Sequence, residues 1–322
     1  MGRGAERFPT EGGMDKKRVL ITGATGFIGR ALAGALASGG YEVVALTRDI
    51  AKSAHLFGKD VQSVLWDGRT ANGWGSLADG AHAIINLAGD NLAEGRWTRA
   101  KKNLVLKSRL DAGAAVCHAV RGARRKPKVV VQASAVGFYG PRGDEGLDES
   151  SAAGGGFLAD VVRAWEDSTR EVEAHGVRRV VIRSGLVLGR SGGVFPRLVL
   201  PFRFFAGGPL GSGRQWFSWV HMSDEVAAIR FLVEREGLAG VFNLTAPNPL
   251  EEKDICRAIG KALRRPCWLP VPAFVLKLLF GEKAKETILE GQRVVPRRLA
   301  EAGFTFRFPD AAAALAELFH KS

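Results

Sequence analysis

A glycine-rich turn near the start of the chain constrains the fold more than any other feature of the sequence. The strand-like residues 18–21 (RVLI) lead into 22–29 (TGATGFIG), where glycine stands at positions 23, 26 and 29. Glycines after a strand let the backbone approach a pyrophosphate, and the helix that follows supplies free N–H groups and positive potential. The pattern predicts a nucleotide site, with a purely structural turn as the alternative. Its predicted residues are Gly23, Thr25, Gly26, Phe27, Ile28 and Gly29.

The first half of the chain alternates short aliphatic runs with helical stretches, which predicts parallel strands with helices on both faces. Apolar positions within 27–38 form a helical stripe that Gly39 and Gly40 end. The fold class is therefore α/β, a Rossmann-type doubly wound parallel sheet with a smaller C-terminal substrate lobe. The predicted strands are 19–22, 42–46, 61–66, 83–87, 129–133 and 180–183.

Proline and glycine become frequent after residue 189, which indicates a second, smaller part of the molecule. We expect a nucleotide-binding domain at 17–190, to which 215–245 returns, after a disordered extension at 1–16. The segments 191–214 and 246–322 would then form the substrate-binding lobe.

Composition argues against several classes of function. No apolar run reaches the roughly 20 residues that cross a bilayer, the first residues do not resemble a signal peptide, and the three cysteines lack metal-ligand spacing. We therefore expect a cytoplasmic protein with no membrane partner and no metal. The net charge of +13 and the basic stretch 121–128 raise nucleic acid as a partner. Because no aromatics are interleaved there, we expect a solvated helix end and no specific nucleic acid.

Several further motifs resemble the extended short-chain dehydrogenases/reductases of the sugar-nucleotide epimerase and dehydratase type. They are 86–89 (NLAG), 134–140 (SAVGFYG), 220–224 (VHMSD), Arg96-Trp97, Ser108-Arg109, Trp165-Glu166, 183–189 (RSGLVLG) and 290–296 (EGQRVVP). Within that superfamily the chain resembles an atypical branch named epimerase family, of unsettled substrate, over about residues 17–320. The resemblance implies a nicotinamide dinucleotide cofactor, a small-molecule substrate, and a monomer or a homodimer.

The end of the second predicted strand indicates which dinucleotide is bound. Relatives that prefer NAD place a carboxylate there, whereas this chain has Thr47 followed by Arg48. A guanidinium can hold a 2′-phosphate through two charge-assisted hydrogen bonds, so NADP(H) is the predicted cofactor. Asp49 leaves an alternative open, because a shift of one residue would restore the carboxylate.

Most of the other predicted cofactor contacts follow from the resemblance, and Arg109 follows from its place in the chain. Asp67 matches a position that contacts the adenine, and the small residues after the fourth strand would let the backbone pass close to the ribose. We expect Arg109 and Arg183 each at an element end facing the crevice, where a guanidinium can bind a phosphate or carboxylate. A structural salt bridge is the alternative for Arg183. The full set is Asp67, Leu87, Ala88, Gly89, Arg109, Leu186 and Val187.

The catalytic pair typical of the superfamily is missing. No Tyr-x-x-x-Lys occurs in the sequence, and Leu158 and Val162 stand where the resemblance would place the Tyr and the Lys. That lysine lowers the tyrosine pKa so that the phenol exchanges a proton with the substrate. The candidate replacements are Ser134 and Tyr139, unless the first caps a turn and the second is a packing residue. His221 is a further candidate acid, with a buried structural histidine as the alternative.

The sequence therefore predicts an NADP(H)-dependent oxidoreductase or epimerase-like enzyme that acts on an unknown carbonyl or sugar-nucleotide-type substrate. Hydride transfer needs mainly orientation of the nicotinamide against a carbonyl, which the fold can supply. The loss of both catalytic residues leaves a different class open, namely a nonenzymatic NADP(H)-binding redox sensor or regulator.

Overall fold

The computed structural model describes residues 16–320. The predicted extension at 1–16 lies outside the described residues, apart from Lys16. In chain order the strands are β1 (Arg18–Thr22), β2 (Glu42–Thr47), β3 (Val61–Leu65), β4 (Ala83–Asn86), β5 (Val129–Ala135), β6 (Gly146–Leu147), β7 (Arg178–Ser184), β8 (Leu186–Gly189), β9 (Gly192–Gly193), β10 (Trp216–Phe217), β11 (Trp219–His221), β12 (Gly240–Leu244), β13 (Leu250–Glu251) and β14 (Arg293–Val294).

The helices occupy the connections between these strands and most of the C-terminal part. They are α1 (Phe27–Ser38), α2 (Ile50–Phe57), α3 (Arg99–Gly122), α4 (Phe157–Asp167), α5 (Glu171–Ala174), α6 (Phe195–Arg203), α7 (Met222–Glu234), α8 (Glu252–Leu263), α9 (Ala273–Phe280), α10 (Glu282–Ala284), α11 (Arg297–Glu301) and α12 (Ala311–Phe319). Within residues 16–320 no helix combines the length and the apolar character that crossing a membrane requires.

Seven strands form one parallel sheet in the order β12-β7-β5-β4-β1-β2-β3. In the centre of the sheet, Leu20 of β1 is paired with Val44 of β2 on one side and with Ile84 of β4 on the other. The strand order reverses between β1 and β4, so the carboxyl ends of these two strands border the crevice where doubly wound folds bind ligands. The predicted fold class is confirmed, and each predicted strand is present with its ends shifted by at most two residues.

Alternate side chains of the central strands enter two hydrophobic cores, one on each face of the sheet. Val19 and Ile21 pack with buried residues of α1 and α7, whereas Leu20 lies between them and packs with α3 and Trp74. Burial of each such aliphatic side chain stabilises the fold by about 1.5–3 kcal/mol. A sheet covered on both faces holds the strand ends, and the turns that follow them, in fixed positions.

A third hydrophobic core lies in the smaller lobe and joins α6, α8 and α12 around the buried Trp219. Of the predicted return segment 215–245, β12 joins the main sheet beside β7. In contrast, β11 pairs with β8 in a separate three-stranded sheet. The polypeptide therefore leaves the main sheet for the lobe twice, once after β7 and once after β12. The space between the main sheet and the lobe lies at the carboxyl ends of β5 and β7.

Candidate nucleotide and substrate site

The turn after β1 requires glycine at two positions. Gly23 has φ +68°, and a Cβ there would lie 2.9 Å from the carbonyl carbon and oxygen of Leu87. A Cβ on Gly29 would lie 2.3 Å from the carbonyl oxygen of Gly23, which is far inside van der Waals contact. The turn is therefore packed tightly against the segment after β4 and against the first turn of α1. Such close packing places backbone, with no side chain in between, at the edge of the sheet.

The N-terminus of α1 has no side-chain cap. Its N-cap residue is Gly26, and its first turn contains no acidic residue. The next two helices do have side-chain caps. Asp49 caps α2 by accepting from the N–H of Lys52, and Thr98 caps α3 by accepting from the N–H of Lys101. The first N–H groups of an α-helix have no partner within the helix, so those of α1 are free to bind an anion.

Phe27 contributes to this region through its backbone, because its ring is used for packing. A Cβ on Gly189, Gly192 or Gly193 would lie 2.6–2.9 Å from atoms of the Phe27 ring. The three glycines thus form a close-fitting wall around the ring, which anchors the start of α1 to β8 and β9. Of the other residues in the predicted turn, Thr25 and Ile28 are partly exposed beside the buried Gly29.

At the end of β2 the structure separates the roles of Arg48 and Asp49. The Asp49 carboxylate is the N-cap of α2 and accepts from Lys52 N at 2.9 Å, while the Asp49 N–H donates to Thr47 Oγ1 at 3.1 Å. Arg48 is exposed and makes no hydrogen bond or ion pair with the described residues. The Asp49 carboxylate is therefore engaged, and no side chain within residues 16–320 competes with an anionic ligand for the Arg48 guanidinium.

Asp67 lies two residues beyond β3 and closes a tight turn. Its Oδ1 accepts from the N–H groups of Arg69 and Thr70 at 2.7 and 2.8 Å, and its Oδ2 accepts from the Thr70 hydroxyl at 2.7 Å. The hydrogen bonds from the Thr70 and Arg69 backbone hold the pKa of Asp67 below its ordinary value. The Asp67 carboxylate is thus engaged in a turn, and the predicted contact with adenine stays a prediction.

A buried polar ladder positions the segment after β4. Thr22 Oγ1 donates to Asn86 Oδ1 at 2.6 Å, and Asn86 Nδ2 donates to Gln132 Oε1 at 2.9 Å, which links the ends of β1 and β4 to the middle of β5. Thr22 Oγ1 also accepts from the N–H of Ala88 at 3.2 Å. All three ladder side chains are fully buried. Buried amides satisfied in this way hold Leu87, Ala88 and Gly89 in one place.

Arg109 does not lie at an element end, as expected from the sequence, but in the middle of α3. Its guanidinium donates to the carbonyls of Asp90 and Val105 at 3.1 and 2.9 Å and stacks 4.6 Å from the centre of the Trp165 ring. Burial lowers its pKa to about 10, which leaves it charged at neutral pH. A Cβ on Gly89 would lie 3.0 Å from the Arg109 guanidinium carbon. Arg109 therefore packs directly against the segment 87–89, which is predicted to contact the ribose.

A cavity of about 430 Å³ opens where β5 and β7 end, between the main sheet and the smaller lobe. Leu158 and Val162 of α4 form part of its wall, together with Leu186 at the start of β8. Its polar lining residues include Ser184, Trp216, Ser218, Lys285, Glu286 and Gln292. An apolar wall with a few convergent polar groups is typical of a small-molecule site. Val187 lies next to this wall and is buried.

Neither candidate catalytic hydroxyl faces this cavity. Ser134 is buried and donates to Glu166 Oε1 at 2.6 Å. Glu166 also pairs with Arg183 through both carboxylate oxygens, at 2.7 and 3.0 Å. The Glu166 side chain is buried, because α4 places it against the end of β7. Arg183 forms the structural salt bridge that the sequence left open. Burial disfavours its positive charge, but the hydrogen bonds with Glu166 outweigh that effect and raise its pKa.

Tyr139 lies in the same buried cluster. Its hydroxyl donates to Asn243 Oδ1 at 2.7 Å and accepts from Arg183 at 3.0 Å, and the side chain is fully buried. Burial raises the pKa of this phenol, against the lowering effect of Arg183. A shielded phenol with a raised pKa differs from the exposed, lysine-activated tyrosine that the superfamily uses. The geometry is that of the packing alternative.

His221 is the N-cap of α7 and accepts from the N–H of Ser223 at 3.2 Å, while its Nε2 lies 3.1 Å from Glu317. Burial lowers its pKa, and it does not line the cavity. Within residues 16–320, no group of three His, Cys, Asp or Glu side chains lies close enough to hold a metal ion. The contacts of His221 are those of a buried structural histidine, and they do not place it as an acid in the cavity.

Sequence reasoning missed two features of the cavity. Glu286 comes from the C-terminal lobe, and its Oε2 accepts from the N–H of Leu158 at the start of α4, 2.9 Å away. Ser184 Oγ lies 2.5 Å from Oε1 of Glu225 on α7. Both contacts join residues that are far apart in the sequence, by 128 and 41 positions, so no local pattern could have revealed them.

Comparison with known proteins agrees with this architecture. Residues 19–245 match a family profile described as the NAD dependent epimerase/dehydratase family, and residues 271–318 match a domain of unknown function, DUF1731. The chain belongs to the NAD dependent epimerase/dehydratase family. The segment that carries Glu286 lies within the DUF1731 match.

Individual relatives extend the match to nearly the whole chain. The chain is 38% identical to the epimerase family protein YfhF of Bacillus subtilis (strain 168), over 93% of this chain and 97% of that protein. The crystal structure of the human epimerase family protein SDR39U1 (isoform 2) with NADPH superposes with a TM-score of 0.84 at 35% identity, and covers 94% of this chain and 98% of that one. The cofactor predicted from Thr47 and Arg48 is thus the one with which a similar protein was solved.

A more distant structure shares the fold alone. The UDP-N-acetylglucosamine 4-epimerase from Methanobrevibacter ruminantium M1 superposes with a TM-score of 0.75 at 17% identity, over 95% of this chain and 97% of that one. The resemblance to epimerases stated for the motifs is therefore confirmed at the level of family and fold.

Proposed function

We propose that this protein binds NADP(H) along the carboxyl edge of the sheet and transfers a hydride between the nicotinamide and a carbonyl or sugar-nucleotide-type substrate in the cavity. The observation that carries the proposal is the alignment of three features along one edge. These are the uncapped N-terminus of α1, the exposed Arg48 at the end of β2, and the cavity at the ends of β5 and β7. The human relative solved with NADPH supports the choice of cofactor.

The residues present fit this cofactor. The glycine turn and the N–H groups of Phe27 and Ile28 would hold the pyrophosphate, Arg48 the 2′-phosphate, and the backbone of 87–89 the ribose. The chemistry that the cofactor supplies when bound is hydride transfer at the nicotinamide. The chain orients the substrate, and the wall of Leu158, Val162 and Leu186 keeps water from the reacting carbon.

Titration of cofactor-stripped protein with NADPH and NADH tests the cofactor assignment. We expect NADPH to bind more tightly, and Arg48→Ala to weaken NADPH about 10- to 100-fold with little effect on NADH, since hydrogen bonds to charged groups are worth about 1.5–3 kcal/mol. Arg203→Ala, a change of an exposed arginine on α6, is the matched control and should leave both affinities unchanged. Equal binding of the two cofactors by the wild-type protein would contradict the assignment.

A second candidate function is an NADP(H)-binding sensor that catalyses no reaction. It is favoured by Leu158 and Val162, which line the cavity where the superfamily places its proton donor and lysine. Addition of pooled aldehydes, ketones and nucleotide sugars to the NADPH complex separates the two functions. An enzyme would lose the fluorescence of bound NADPH in the presence of a substrate, whereas a sensor would oxidise NADPH no faster than buffer does. A cytoplasmic location and a monomeric or homodimeric state remain predictions in either case.

A further inference from the structure

The cavity contains few hydroxyl groups, and most of them are committed to the backbone. Ser218 donates to the carbonyl of Gln292 at 2.6 Å and accepts from the N–H of Val294 at 2.9 Å. Thr287 donates to the carbonyl of Lys283 at 2.7 Å. Ser184 is the remaining hydroxyl of the described lining, and its side-chain partner is the carboxyl of Glu225.

Glu225 is an unusual partner because its side chain is completely buried on α7. Its Oε1 lies 2.5 Å from Ser184 Oγ, and its Oε2 has no hydrogen-bond partner among the described residues. A buried carboxylate anion without a cation or several donors is strongly unfavourable. The geometry therefore favours a neutral carboxylic acid at this position.

The surroundings of Glu225 agree with a neutral acid. Burial raises its pKa to about 8, and the only opposing effect is the Ser184 hydrogen bond. The titratable neighbours in sequence point elsewhere, since Asp224 accepts from the N–H groups of Arg307 and Phe308, and His221 pairs with Glu317. From α1, β5, β7, β8 and β11, which pack around α7, no charged group contributes to the titration of this carboxyl.

The proton on Glu225 determines what Ser184 can do. Oε2 of Glu225 has no hydrogen-bond partner among the described residues, whereas Oε1 lies beside Ser184 Oγ. A neutral Glu225 therefore carries its proton on Oε1 and donates it in a hydrogen bond to Ser184 Oγ. The Ser184 hydroxyl hydrogen is then free to point into the cavity. With an ionised Glu225 the direction would reverse, because Ser184 would donate to the carboxylate and offer no proton to a ligand.

We infer that Ser184, supported by Glu225, is the proton donor of this cavity in place of the missing tyrosine and lysine. The inference rests on the proposed function. As a hydride from NADPH reaches the carbonyl carbon, the carbonyl π bond breaks and the Ser184 O–H bond transfers its proton to the carbonyl oxygen, which gives an alcohol. Ser184 regains a proton from Glu225, and the resulting carboxylate is reprotonated from water through Ser184 after the product leaves.

Infrared difference spectra test the pair without requiring turnover. At neutral pH, the spectrum of the wild-type protein minus that of Glu225→Gln should contain the C=O stretch of a protonated carboxyl. Ser184→Ala should shift the frequency of that band. Ser218→Ala is the matched control, because the Ser218 hydroxyl bonds to the backbone, and it should leave the frequency unchanged. If no such band is found, or if Ser184→Ala does not alter it, the arrangement of donor and partner is wrong.

The second measurement concerns the proton offered to the cavity. In the complex with NADP⁺ and excess phenanthrenequinone, a small dicarbonyl probe, a Ser184 donor should lower the C=O frequency of the bound probe in the wild type but not in Ser184→Ala. An unshifted carbonyl overturns the inference. With NADPH, Ser184→Ala should lower kcat for this probe about 100-fold or more with little change in KM, and Ser184→Thr should restore part of it.

These outcomes separate the two proposals. If the Glu225 band and the shift of the probe carbonyl are both observed, but NADPH binds no more tightly than NADH, only the cofactor assignment is wrong. If NADPH binds tightly and Ser184→Ala reduces the probe as well as the wild type does, the proposed function stands and the assignment of Ser184 as proton donor is wrong.

Discussion

Glu225 should make the stability of this protein fall as the pH rises above the ordinary range of a carboxyl group. Burial raises its pKa in the folded state from 4.5 to about 8. Between these two values the unfolded chain has released this proton while the folded chain still holds it, so rising pH favours the unfolded state. The contribution is fully present below about pH 4.5 and is lost as the pH passes through about 8.

The magnitude follows from the same interval. At about 1.4 kcal/mol for each pH unit between 4.5 and about 8, the loss for this one group amounts to about 5 kcal/mol of the free energy of unfolding. That value is comparable to the whole stability of many domains. Glu225→Gln removes the titrating group and keeps the shape of the side chain, so it should remove this part of the pH dependence.

The assay is guanidinium unfolding of the wild type and of Glu225→Gln at a series of pH values, with coincident transitions by fluorescence and circular dichroism as the check on cooperativity. Glu252, whose pKa burial raises to about 7, titrates in both proteins and cancels in the difference. Glu236→Gln, at a carboxylate 78% exposed, is the matched control and should show a constant difference from the wild type. A difference between wild type and Glu225→Gln that does not change with pH would refute the reasoning.

Three other predictions address the glycine turn, the buried ion pair and the cysteines. Gly23→Ala should abolish NADPH binding or lower the Tm, because φ is +68° and the new Cβ would lie 2.9 Å from the Leu87 carbonyl; unchanged affinity and Tm would contradict it. Glu166→Ala should lower the free energy of unfolding by about 3–5 kcal/mol in urea, since it leaves a buried guanidinium unpaired; a loss below 1 kcal/mol would count against it. Cys256 and Cys267, with sulfurs 2.8 Å apart, should form an intramolecular disulfide under mild diamide oxidation, detected by mass spectrometry and absent in Cys267→Ser.

The smaller lobe supplies the parts of the cavity that distinguish this chain from a bare nucleotide-binding domain. Glu286 reaches across from the DUF1731 match to the start of α4. Trp216 is a lining residue of the cavity, and its Nε1 donates to Asp144 at 2.8 Å. The neighbouring aromatics differ, since Phe217 and Trp219 belong to the lobe core. Of these three aromatic residues, Trp216 therefore lines the cavity, and Phe217 and Trp219 pack inside the lobe.

The sequence by itself determined the sheet and the nucleotide turn, because both depend on local patterns. Aliphatic runs of strand length predicted β1 and its neighbours to within two residues, and glycine spacing predicted where α1 begins and ends. The choice between Arg48 and Asp49 was also local, although it needed the structure to show that the carboxylate caps α2.

Only the tertiary structure decided which side chains reach the cavity. Ser134 and Tyr139 stand at promising positions in the sequence, yet both hydroxyls bond within a buried cluster around Arg183. Ser184 lies in the quoted motif 183–189, but nothing local marks its hydroxyl as a cavity group, and its partner Glu225 lies on a helix 41 residues away. The physical reason is that burial and hydrogen-bond partners depend on how helices from both lobes pack against the strand ends, and those long-range contacts leave no periodic pattern in the chain.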